Sequence, residues 1–88
     1  MDQEQDILLQ YQTGEVVHVG DRVNIRDGTP NPIYGTVVFV IDNNEYTPEF
    51  PAEEWNHYGK GFMIKLSDGT LIMYDNTTDG HLAYVSQV

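Results

Sequence analysis

Between Asp21 and Ile41 the chain is written as two segments that only a sheet accommodates. In Arg22-Val23-Asn24-Ile25-Arg26, the apolar Val23 and Ile25 alternate with polar neighbours, the period-2 pattern of a strand with one buried face. Tyr34 to Ile41 is apolar at nearly every position and rich in β-branched residues, so it reads as the central strand. The intervening Asp27-Gly28-Thr29-Pro30-Asn31-Pro32 cannot continue a ladder, because both prolines lack the N–H donor and Gly28 tolerates positive φ. Gly35, inside the second strand, predicts a bulge or sharp bend there.

The same punctuation continues on either side. Residues 1–6 read as a frayed, solvated end. Ile7 to Gln12 and Glu15 to Val19 read as strands divided by Thr13-Gly14, with a turn at Gly20-Asp21. Asp42-Asn43-Asn44-Glu45 is a turn, followed by a long excursion to Gly61. Within it, Phe50 to Gly59 predicts a short helix: Pro51 suits the first turn, Glu53 and Glu54 favour the positive helix start, and Gly59 is a stop. Asp68-Gly69 between apolar runs is a hairpin signal. A two-residue turn there pairs Leu66 with Leu71 and puts Phe62, Ile64, Leu66, Leu71 and Met73 on a core face. Met63, Lys65, Ile72 and Tyr74 then form a second face that the excursion helix or a partner must cover. Leu82 to Val85 is a last short strand.

An 88-residue chain holds one domain, here 1–88, with a modest core to which ten aromatic residues contribute. Absent cysteine excludes disulfides and thiolate chemistry and makes a cytoplasmic location the expectation. The acidic start does not resemble a signal peptide, and the apolar run Val37 to Ile41 is too short to cross a bilayer. Fourteen acidic residues against four basic give a formal net charge of −10. Such a field opposes direct binding to nucleic acid or to an anionic membrane, and steers a basic protein partner inward.

Gly20-Asp21-Arg22-Val23 followed by Gly35-Thr36-Val37-Val38 resembles the opening of SH3-like barrels of the KOW and Tudor kind. The resemblance runs from about Val16 to Asp42 and, through the Asp68-Gly69 hairpin, to Tyr74. It implies an all-β, mainly antiparallel fold: a small SH3-like barrel of five to six strands with one short helix in a long loop. It does not imply a function, since this architecture binds nucleic acids, peptides and proteins alike. Ribosomal and transcription-factor members of the KOW kind are basic, whereas this chain is acidic, and it lacks the Ala-Leu-Tyr-Asp-Tyr segment of peptide-binding SH3 domains. In size and charge it is similar to small acidic barrels of bacteria, immunity proteins and antirepressors among them.

Catalytic patterns are weak. His18, His57 and His81 lack the spacing of a metalloprotease helix, so no metal or cofactor is expected. The carboxylate pairs Glu53-Glu54 and Asp42 with Glu45 are accounted for by helix-start and turn preference, and Gly59-Lys60-Gly61 is no phosphate loop. The excursion is richer. Tyr46, Glu49, Glu53, Glu54, Trp55 and Tyr58 combine aromatic anchors with negative charge, the composition of a protein-binding hot spot. The competing reading makes Trp55 and Phe50 a lid over an open barrel end. An aromatic cage for methylated lysine uses the same residue types. The expectation is a non-enzymatic acidic binding module, an inhibitor or immunity-type protein for a basic partner, with Asp42 and Glu45 adding to the steering field. A subunit of a larger assembly, contacting through Met63, Ile72 and Tyr74, is the alternative, and a small enzyme the second.

Overall fold

The computed structural model describes residues 8–87, so the end expected to fray at 1–6 and the Ile7 start of the first strand lie outside it. Five strands form: β1 (Asp21–Asn24), β2 (Tyr34–Val40), β3 (Phe62–Leu66), β4 (Leu71–Tyr74) and β5 (Ala83–Gln87). Helix α1 (Ala52–Trp55) and a 3-10 turn (Asn56–Tyr58) interrupt the long connection between β2 and β3. All ladders are antiparallel, in the order β4-β3-β2-β1-β5. The all-β class and the single short helix are as expected, and five strands is the lower of the five to six expected. Among the described residues no ladder joins β4 to β5, so the sheet keeps two edges where a barrel closes on itself.

The two strands expected on either side of Thr13-Gly14 are instead one tight turn with a single bridge, Gln10 to Val16. Its backbone bonds run from Tyr11 N to Glu15 O, Gly14 N to Tyr11 O and Val17 N to Leu9 O, each 2.9 Å. A side chain replaces the missing ladder. The Asn43 amide accepts from Leu9 N at 2.7 Å and donates to Val17 O at 2.8 Å, clamping this turn to the loop after β2. Asp21, expected in a turn, opens β1 and is buried.

Two apolar clusters lie on opposite faces of the sheet. The larger gathers Tyr11, Val17, Val23, Val37, Val40, Phe62, Ile64 and Leu82. The smaller gathers Phe39, Phe50 and Met63, with Tyr46, Trp55 and Met73 packed against it. A bulge separates them: Val37 pairs with Ile64 but Phe39 with Met63, leaving Val38 as the extra residue. That residue inverts the alternation, so Phe39 points out of the larger core while Val37 and Val40 point in. The bulge expected at Gly35 is absent; Gly35 pairs regularly with both Val23 and Leu66. Its glycine requirement is close approach, since a Cβ there would lie 2.4 Å from Ile64 Cγ2.

The β3–β4 hairpin is shifted by one residue from expectation. Lys65 pairs with Leu71, Ile64 with Ile72, Met63 with Met73 and Phe62 with Tyr74. The turn therefore has three residues, Ser67-Asp68-Gly69, closed by Leu66 N to Thr70 O at 2.8 Å with Gly69 at φ +92°. A one-residue slip exchanges faces. Ile72 and Tyr74 join the face of Phe62 and Ile64, with Tyr74 stacked on Phe62 at 5.4 Å, while Leu71 is exposed. Met63, Ile72 and Tyr74 thus do not share a free face: Met63 is buried under the excursion.

Candidate functional site

The excursion begins where Glu45 turns back on β2, exchanging two backbone bonds with Val40 at 2.8 and 3.0 Å. This sends Tyr46 over the outward Phe39, ring centroids 6.1 Å apart. Pro51 then sits as the extended N-cap of α1 (φ −75°), with Glu53 and Glu54 in the first turn. Gly59 at φ +83° ends the helical stretch, its N–H donating to Asn56 O at 3.0 Å.

An aromatic ladder results, graded from core to solvent. Phe39 is fully buried; Trp55 lies 5.1 Å from it and 6.0 Å from Phe50; Tyr58 stacks on Trp55 at 5.6 Å and is 56% exposed. His57 packs on Tyr58 at 4.4 Å. Phe50 is buried and Trp55 half-buried, so the covering role and the exposed aromatic step belong to one stack. Glu53 and Glu54 are exposed, Tyr46 is half-buried, and exposed Glu49 meets Lys65 at 3.3 Å. The six candidates therefore share one lobe, where Tyr46 and Trp55 flank Phe39 while Tyr58 and the glutamates face water.

Asp42 and Glu45 are committed elsewhere. Asp42 Oδ1 accepts from Gly61 N at 2.5 Å, and Glu45 accepts from Val19 N at 2.8 Å and lies 2.7 Å from His18 Nδ1. Both carboxylates brace loops, whereas Glu49, Glu53 and Glu54 stand exposed on the excursion itself. The histidines sit apart in role: His81 Nδ1 meets Asp27 O at 2.9 Å, and His57 belongs to the aromatic stack. Among the described residues, no group of three His, Asp or Glu could hold a metal ion. Nor is any helix among them long and apolar enough to cross a membrane.

Two features escaped the patterning. Asp21 is a buried carboxylate that accepts from the Tyr11 hydroxyl at 2.7 Å, from His18 N at 2.9 Å and from the Gln87 amide. The Val19-Gly20-Asp21 string resembles any turn, and nothing in it signals burial. The second is a cleft of about 590 Å3 on the outer sheet face, lined by Arg22, Ile33, Tyr34, Thr36, Lys65 and Leu66 among others. Its signal lay in the alternation that put Arg22 opposite Val23, but its partners come from strands far apart in sequence. With this geometry in hand, comparison adds no relative: the chain matches no protein-family model, no curated protein and no solved structure.

Proposed function

We propose that this protein is a non-enzymatic, acidic protein-binding module whose excursion engages the basic face of a partner protein, and that it acts as an inhibitor of the immunity kind. The scaffold we assign to it is SH3-like, on the resemblance carried by Gly20-Asp21-Arg22-Val23 and Gly35-Thr36-Val37-Val38. One observation carries the binding reading. Tyr58 is held out at 56% exposure by stacking on Trp55, which itself packs on the buried Phe39. An aromatic side chain held in place by its own core loses little freedom on binding, which is what an anchor residue needs. Exposed Glu53 and Glu54 on the same helical stretch, in a chain of net charge −10, raise the encounter rate with a basic surface. The test is capture of partners from cytoplasmic extract at two salt concentrations, comparing the native protein with Glu53→Lys/Glu54→Lys and with Tyr58→Ala. Loss of the same captured protein in both variants, and weakening by salt, supports the reading; capture indifferent to all three removes it.

Assembly into a larger complex is the second reading, supported by the two open sheet edges and by Val85 on the β5 edge, which is 45% exposed. Light scattering over a concentration series separates the two, since self-association raises the mass and a partner-binding monomer does not.

A further inference from the structure

The outer face of the sheet is roofed over only half its length. The bulge at Val38 turns Phe39 outward beside Met63, and Phe50 and Trp55 cover that end. At the other end Arg22, Thr36 and Lys65 stand in one register row across β1, β2 and β3 and line the open cleft of about 590 Å3. That size is within the range of small-molecule sites, roughly 300–1,000 Å3.

The chemistry of this row is unlike the rest of the molecule. Of only four basic residues in the chain, two, Arg22 and Lys65, line this cleft. They flank the Thr36 hydroxyl from the two neighbouring strands, at backbone spacings of about 4.8 Å each. Arg22 lies over the Tyr34 ring, 4.8 Å from its centroid. Stacking occupies the face of a guanidinium and leaves its N–H edges, the fork that fits a carboxylate. Lys65 already meets one carboxylate at the rim, Glu49 at 3.3 Å, in an exposed pair of little net strength that a ligand can displace. Ile33, Tyr34 and Val38 supply the apolar part of the lining, while the Leu66 side chain packs on the larger core across the sheet. The overall charge limits what can enter. A polyanion reaches past the two cations onto the surface of a protein of net charge −10 and is repelled there. One carboxylate within a screening length of about 8 Å of Arg22 and Lys65 instead meets two cations locally.

We propose that this cleft binds a small organic acid: a single carboxylate held by Arg22 and Lys65, with an apolar body lying along Ile33, Tyr34 and Val38. The site touches the excursion surface at the Lys65–Glu49 pair, and it stands whether or not that surface binds a protein.

The test is an amide-resolved NMR titration of the native protein with 4-phenylbutyrate, with acetate as the head alone and 4-phenylbutanol as the body alone. Binding by 4-phenylbutyrate is expected to saturate and to shift amides at Arg22, Tyr34 to Thr36 and Lys65 to Ser67. Acetate and the alcohol are each expected to bind at least tenfold more weakly. Arg22→Gln, at an exposed position where the amide spectrum itself reports folding, is expected to weaken 4-phenylbutyrate about tenfold or more. Arg22→Lys keeps the charge but loses the fork, and is expected to recover only part of that affinity. Equal binding of the alcohol, shifts centred elsewhere, non-saturating shifts, or an affinity indifferent to Arg22→Gln would each overturn the proposal.

Discussion

The Tyr11 hydroxyl donates a 2.7 Å hydrogen bond to the buried carboxylate of Asp21, tying the N-terminal turn to the first residue of the sheet. Because the Gln87 amide donates to the other oxygen, the same carboxylate also holds the last strand. A buried carboxylate is tolerated when donors surround it, and these donors come from three separate parts of the chain.

Tyr11→Phe leaves one Asp21 oxygen with the His18 N–H alone and is expected to cost about 1–3 kcal/mol at neutral pH. Burial first, and the Asp21 hydrogen bond second, push the Tyr11 hydroxyl well above its ordinary ionisation range. In the unfolded chain it ionises near pH 10. Above that pH the unfolded state has released a proton that the folded state keeps, so stability falls as pH rises; below it the contribution is intact. The native protein should therefore lose up to about 1.4 kcal/mol per pH unit through this group above pH 10. The variant lacks that slope and retains the shallower one from Tyr74, whose hydroxyl is also raised by burial. Urea unfolding at pH 7, 9 and 11 checks this: the gap between the two proteins is expected to narrow only at the last.

Gly35→Ala is expected to destabilise by about 1–3 kcal/mol. The added Cβ would meet Ile64 Cγ2 at 2.4 Å, Leu66 Cδ2 at 3.0 Å and the Lys65 carbonyl at 3.1 Å, and Ile64 is fully buried and has no room to yield. Gly80→Ala is the control. Nothing lies within 4 Å of its Cβ position and its φ is ordinary, so a change within about 1 kcal/mol, in the stabilising direction, is expected. Thermal unfolding of the pair distinguishes close approach from a general intolerance of alanine.

The hairpin register makes an opposed pair of predictions. Leu71→Lys, at an exposed position beside Lys65, should change stability by no more than about 0.5 kcal/mol. Phe62→Ala, in the fully buried core, should cost about 3–5 kcal/mol. A two-residue turn would have made Leu71 a core residue, so a large loss for Leu71→Lys in denaturant unfolding would restore that register.

That register shows where patterning succeeds and stops. Strands were legible wherever a single face is buried, as with Val23, or wherever apolar residues run on, as in β2. Face assignment was not, because Val37-Val38-Phe39-Val40 and Phe62-Met63-Ile64 are apolar on both faces and fit either alternation. Ser67-Asp68-Gly69 likewise suits a two-residue or a three-residue turn, and only packing on the second cluster chooses. The excursion's aromatic and acidic content was plain, and its helix fell where Pro51 and Gly59 placed it. The Arg22–Thr36–Lys65 row could not be read, since it exists only after β1, β2 and β3 are paired.

The lone tryptophan separates the covering role of the excursion from the anchoring role proposed for it. Trp55 packs on Phe39 and Phe50, so Trp55→Ala removes apolar contact from the smaller core and is expected to cost about 2 kcal/mol, less than for a fully buried ring. Tyr58 rests on Trp55 from the solvent side, so Tyr58→Ala should leave stability within about 0.5 kcal/mol while removing the exposed aromatic step. The stacking also makes Trp55 a reporter. Its emission should change when Tyr58 is removed and again when a partner covers the native lobe, with no change in the unfolding midpoint in the first case. A Tyr58→Ala protein that unfolds several degrees early would instead make Tyr58 part of the roof over Phe39, and the excursion a lid with no anchor.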